Sequence, residues 1–161
     1  MWEKELIDIL EKEEKLLTTI LEKENEKKRC LINRELDKIL EINSEEEKIF
    51  LEIEKYEFAR NEIVKRVSNK LNLSSEEITI SRIIEFASNK PLIEKLKNNI
   101  ISIISEIKNV SFENKVLIES SINISLSIIE KFTNTKASEN TYNSQGKKEV
   151  KINLTNYSTI T

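Results

Sequence analysis

Histidine is absent from this chain, and cysteine, glycine, proline, methionine and tryptophan each occur once. Each shortage closes off a class of function. Without histidine, the commonest general base and the commonest metal ligand are missing. Cys30 alone can form no internal disulfide, and without a histidine or a second cysteine it makes neither a zinc site nor a recognisable catalytic pair. A solitary thiol suits a reducing, cytoplasmic setting, and Cys30 reads as a small apolar filler. A single glycine leaves no phosphate-cradling loop. One glycine and one proline supply too few turns for a barrel or a sandwich. No run of about 18 apolar residues occurs, so no membrane insertion is expected. The start, Trp2-Glu3-Lys4-Glu5, is charged and mixed and does not read as a signal peptide. No enzyme, no cofactor and no metal site is expected from this composition.

What remains, over 161 residues, is 34% charged and 38% hydrophobic, the mixture of long amphipathic helices in one domain of ordinary size. The net charge of −3 is close to balance and calls for no nucleic-acid partner. Only the segment 133–161 is positive, with four Lys against two Glu.

The chain is organised around Ile39–Val67. Ile39, Ile42, Glu46, Ile49, Ile53, Tyr56, Arg60, Ile63 and Val67 recur at three- and four-residue intervals, one continuous stripe on a helix. Leu36, Leu40, Phe50, Ala59 and Val64 widen it. Such a helix needs partners. Before it, Leu6, Leu10, Leu17, Ile20 and Leu31 mark a first helix over about 2–32, whose middle, Lys23 to Arg29, reads as polar all round and solvated. The apolar phase slips between Leu31 and Leu36, which places a tight turn at Asn33–Glu35 with Asn33 suited to a left-handed cap. A rival break at Asn43-Ser44 is less favoured, because the stripe runs through it. A short connection between two long stripes implies an antiparallel hairpin. The second helix spans about 36–71.

Ser74-x-x-Glu77 reads as a capping box opening a short helix over about 75–87, and Pro91 suits the first turn of a third long helix over about 92–132. Its stripe is Leu96, Ile100, Ile103, Ile107, Val110, Asn114, Leu117, Ser121, Ile124 and Ile128. A further face, Ile118, Ile122, Leu126, Ile129 and Phe132, exceeds what the hairpin needs and is the candidate surface for an amphipathic segment of another protein. The expected architecture is therefore all-α: a hairpin plus a third long helix in one bundle, residues 1–132. Residues 133–161 read as a mobile polar tail, with a Val150-Ile152-Leu154 alternation that could order on a partner.

Paired carboxylates (Glu13-Glu14, Glu45-Glu46-Glu47, Glu76-Glu77) read as solvated faces, and the Glu-x-x-His of a di-iron bundle is missing. Glu46 and Arg60 interrupt an apolar stripe. They either fix helix register as an interior polar pair, with Arg60 set against Glu5, Asp8 or Glu11, or they contact a partner. Asn114 carries the same two readings. Tyr142 either anchors into a partner pocket or packs loosely on its own bundle.

Taken together, Leu31-Ile32-Asn33-Arg34-Glu35 at the turn with Glu46 and Arg60 on the next helix resembles the FlgN family of flagellar export chaperones. Glu113-Asn114-Lys115-Val116-Leu117-Ile118 is similar to that family's Asn-x-x-Leu-Leu/Ile stretch, with the first Asn of its doubled motif displaced to Asn109. Tyr142-Asn-Ser-Gln-Gly146 is similar to the Tyr-x-x-x-Gly that follows the last helix. The resemblance implies a cytoplasmic chaperone that holds hook–filament junction proteins unassembled by their C-terminal amphipathic segments, using its own C-terminal half. It also implies delivery to the cytoplasmic domain of the flagellar type III export gate, with Tyr142 and Gly146 as gate-binding residues. A self-associating structural coiled coil, or a chaperone for another secretion substrate, stands as the alternative, and the stripes also admit a homodimer.

Overall fold

The computed structural model describes residues 1–74 and 78–140, the last six through their backbone alone. Four helices follow one another: α1 (Trp2–Asn33), α2 (Leu36–Lys70), the short α3 (Ile80–Ile84) and α4 (Lys90–Asn140). No strand occurs among the described residues. The chain divides into two compact units, Met1–Ser120 and Ser121–Thr161.

α1 ends where its backbone turns left-handed at Arg34 (φ 58°, ψ 37°). The Glu35 amide donates to the carbonyl of Cys30 (2.9 Å) and the Arg34 amide to that of Leu31 (3.3 Å), the two crossed bonds of a Schellman motif. The turn lies where the phase slip predicts it. The left-handed residue is Arg34 and not Asn33, because the motif counts from the last buried position of α1, Cys30. α2 ends in the same way: Asn72 is left-handed (φ 53°), and the Leu73 amide donates to the carbonyl of Ser68 (3.0 Å).

Cross-helix contacts run in opposite order along α1 and α2, from Lys27–Glu46 near the turn through Arg60–Glu13 to Arg66–Glu5 at the far end, so the hairpin is antiparallel. α4 follows α1 in the same direction: Glu3 meets Ser88 and Asn89, Glu14 meets Asn99, and Glu24 meets Asn114. The hydrophobic core lies at the end away from the turn. Leu6, Leu10 and Leu17 of α1 pack there with Ile63, Val64 and Val67 of α2 and Ile93, Leu96 and Ile100 of α4. Ile83 and Ile84 of α3 close that end, both almost fully buried. Each such side chain contributes about 1.5–3 kcal/mol of transfer free energy.

The bounds of two helices, α3 and α4, differ from expectation. α3 is capped by Thr79, whose side chain accepts from the Arg82 amide (3.2 Å), and it spans five residues. The expected box at Ser74-x-x-Glu77 falls partly on residues outside those described. α4 starts two residues early, at Lys90, and continues to Asn140, eight residues past the expected end at Phe132. Pro91 is accommodated in its first turn, where an amide would have had no helical partner.

Candidate functional site

Two groups of residues carry the functional interest of the described chain. The first is a buried polar layer inside unit Met1–Ser120. On α1, Leu6, Leu10, Glu13, Leu17, Ile20, Glu24 and Lys27 recur at alternating four- and three-residue intervals, and all are buried. Three of these seven are charged. The expected solvated middle of α1 is therefore overturned at Glu24 and Lys27, and so is the reading of Glu13 and Glu46 as members of solvated carboxylate runs. A seam position is buried whatever residue occupies it, because the helix face decides.

Within the layer, the Lys27 Nζ donates to Glu24 Oε1 (3.1 Å) and to Glu46 Oε2 (2.5 Å). The Asn114 Nδ2 donates to Glu24 Oε2 (2.7 Å) and to the Glu24 carbonyl (2.9 Å). One network thus spans α2, α1 and α4. It holds two carboxylates against one ammonium, and Glu46 Oε1 and Asn114 Oδ1 have no hydrogen-bond partner among the described residues. Burial pushes the Glu46 carboxyl above its ordinary range, and Lys27 pulls it only partly back.

Arg60 sits fourteen residues beyond Glu46, with Leu17 and Ile20 of α1 buried between the two polar contacts. Its Nη1 donates to Glu13 Oε2 (2.7 Å), and its Nη2 lies 3.7 Å from Glu57. The expected partners were Glu5, Asp8 or Glu11. Glu5 is taken by Arg66, and Glu13 is the acid on the seam of α1. Burial raises the Glu13 carboxyl, with Arg60 opposing. Cys30 is buried, its Sγ 3.7 Å from Glu35 Oε2, and burial followed by that carboxylate pushes the thiol up. A thiol so placed is a poor nucleophile.

The second group is the apolar surface of α4. Leu96 and Ile100 are buried, Ile103, Ile107, Val110 and Leu117 are half-buried, and Asn114 is buried. Ile118 is 40% exposed. In the unit that begins at Ser121, every residue to Asn134 is exposed. Ile122, Leu126, Ile129 and Phe132 are among them, at 53, 36, 52 and 67%. Ile124 and Ile128, expected to continue the covered stripe, are also exposed. Tyr142 and Gly146 lie outside the described residues, as does the Val150–Leu154 alternation. No group of acidic or sulfur ligands that could hold a metal occurs among the described residues, and no described helix is long and apolar enough to cross a membrane.

Compared with known proteins, the chain matches the family described as FlgN protein over residues 1–149. No curated protein and no solved structure matches it.

Proposed function

The chain belongs to the FlgN family, the flagellar export chaperones, and from that membership we propose that it binds hook–filament junction proteins in the cytoplasm. It holds their C-terminal amphipathic segments unassembled and delivers them to the cytoplasmic domain of the type III export gate. The observation that carries this reading is the helical run from Ser121 to Asn134, in which large apolar side chains stand in water. Ile118, Ile122, Leu126, Ile129 and Phe132 recur at intervals of four, four, three and three, one face broad enough for a partner helix. An exposed surface of this kind is costly in a monomer and is ordinarily kept for a partner. Segments that fold as they bind give modest affinity for their area, which suits a cargo that has to be released.

We further infer that Glu46, Arg60 and Asn114 set the alignment of the three long helices. Their partners Lys27, Glu13 and Glu24 are all on α1 and all at seam positions. A polar group at such a position penalises every register except the one that pairs it.

The test is a titration of the purified chaperone with a junction protein. Ile122→Asp combined with Ile129→Asp is expected to weaken binding at least about 100-fold, near 2.7 kcal/mol, with helicity by circular dichroism unchanged. Unaltered binding in a folded double variant would remove cargo from this face. Gate docking is tested separately. Tyr142→Ala is expected to keep junction-protein affinity and to lose about 1–3 kcal/mol of binding to the isolated gate domain, as an anchoring tyrosine does. Equal affinities for the gate would leave Tyr142 without that role.

A further inference from the structure

α2 has a second apolar face that neither α1 nor the core uses. Leu36, Leu40, Leu51 and Phe58 are exposed at 64, 59, 55 and 67%. They are separated by four, eleven and seven residues, near-whole numbers of helical turns, so they share one side of the helix. Phe50, 46% exposed, lies at its edge. Two shallow grooves border this face. One, of about 580 Å³, lies between α1 and α2 over Ile9, Phe58, Ala59 and Ile63 and is rimmed by Glu5, Asp8, Glu62 and Arg66. The other, of about 340 Å³, runs along α2 past Phe50 and Leu51 and is rimmed by Asn43, Glu46, Glu47 and Glu54.

The rims decide the occupant. Two acidic residues, Glu47 and Glu54, lie eleven and eighteen residues from Leu36, again near-whole numbers of turns, and so stand on this face in line with its leucines. A two-fold dimer through this face would set the acidic strip against itself. An anionic membrane surface would be repelled for the same reason. A helix with an apolar seam bordered by lysine or arginine satisfies both the phenylalanine–leucine surface and its acidic margins.

We propose that the outer face of α2 docks a basic amphipathic helix of a second partner protein, separate from the cargo face on α4. The stretch from Leu36 to Phe58 is about 33 Å long at 1.5 Å per residue, which matches a partner helix of some six turns. Cargo and this partner then bind different helices and can be held at once.

The test uses full-length chain and two synthetic helical peptides of about 28 residues with a Leu/Ile seam, one with Lys at the flanking positions and its twin with Glu there. The Lys peptide binds the wild type and the Glu peptide does not, and binding weakens as salt rises. Leu51→Ser with Phe58→Ser lowers Lys-peptide affinity at least tenfold, and these exposed sites leave helicity unchanged. Glu47→Lys with Glu54→Lys lowers it comparably and gains the Glu peptide. Ile122→Asp with Ile129→Asp leaves Lys-peptide binding intact while cargo binding is lost, which separates this inference from the cargo assignment. The proposal fails if the Lys peptide does not bind, if the two peptides bind alike, if the α2 variants bind as wild type, or if the α4 variant also loses the peptide. It fails as well if light scattering shows a dimer that Leu51→Ser with Phe58→Ser dissolves, since the occupant is then a second copy.

Discussion

Arg60 shows how a single stripe charge is held. It is about a quarter exposed, whereas the carboxylate it meets, Glu13, is almost fully buried. The pair is therefore asymmetric: losing the arginine strands an acid inside, and losing the acid leaves an arginine that still reaches water. Arg60→Leu is expected to cost about 3 kcal/mol, and Arg60→Leu with Glu13→Leu to recover most of it, because two leucines at facing seam positions pack as their neighbours do. Urea melts of the two single variants and the double variant measure the coupling; a double variant no more stable than Arg60→Leu would show that the pair does not act through burial. Lys27 is the sharper case, since its ammonium pairs with both Glu24 and Glu46. Lys27→Met takes the paired ammonium from two buried carboxylates, and a loss of about 3–5 kcal/mol at neutral pH is expected. That loss should shrink in mild acid, where the already raised Glu46 carboxyl takes up a proton. A loss independent of pH would mean that packing of the lysine stem, not its charge, is what the layer needs.

The helices themselves were legible because apolar residues at three- and four-residue spacing survive any composition. That spacing located α1, α2 and α4, and the phase slip between Leu31 and Leu36 located the turn. It conceals the polar layer, because a charged residue on an amphipathic helix reads as surface: Glu13 falls midway between Leu10 and Leu17, and Glu24 and Lys27 continue from Ile20, so the interval itself is the signal that marks them as buried. Ends were less legible. α3 takes Thr79 as its cap because a cap is set by where the helix meets the core, at Ile83 and Ile84. α4 outran Phe132 because nothing in Thr133–Asn140 stops a helix, the one glycine lying at position 146. The start of α4 depends on a distant residue. Both carboxylate oxygens of Glu3 accept backbone amides there, from Ser88 and Asn89 at 3.0 Å each. These bonds, that of Ser88 first, hold the Glu3 carboxyl below its ordinary range. Glu3→Ala should destabilise by about 1 kcal/mol, as loss of a helix cap does. The difference from wild type should shrink in acid as pH falls through the lowered folded value and the carboxylate protonates. Persistence of the full difference there would argue against a charge-assisted cap.

At the scale of the whole molecule these opposed shifts predict an acidic stability optimum. Glu3 and Glu35 are lowered, Glu35 chiefly by its bond to Lys38, so their contributions are complete above the ordinary glutamate value of 4.5 and are lost as pH falls through the folded values beneath it. Glu13 and Glu46 are raised by burial, so the folded chain binds protons more tightly than the unfolded one above 4.5. Stability then declines as pH rises through their folded values, because each carboxylate has to ionise inside the bundle. Lys23 and Lys38 are raised by Glu45 and Glu35, and what they contribute is lost only in strong alkali. The melting temperature is therefore expected to peak in mild acid, close to pH 4.5–5, and to be lower at pH 7.5. Glu46→Gln should make the upper limb shallower, since it removes one of the two ionisations there, that of Glu13 remaining, and leaves Lys27 and Glu24 as a balanced pair. It should not change the lower limb, which belongs to Glu3 and Glu35. Melts of wild type and Glu46→Gln at half-unit steps from pH 3 to 8 read both limbs. A wild type more stable at pH 7.5 than at pH 5, or a variant with the same upper limb, would contradict a strained buried layer. An optimum on the acidic side would mean that at neutral pH the three long helices are held in register at a cost in stability.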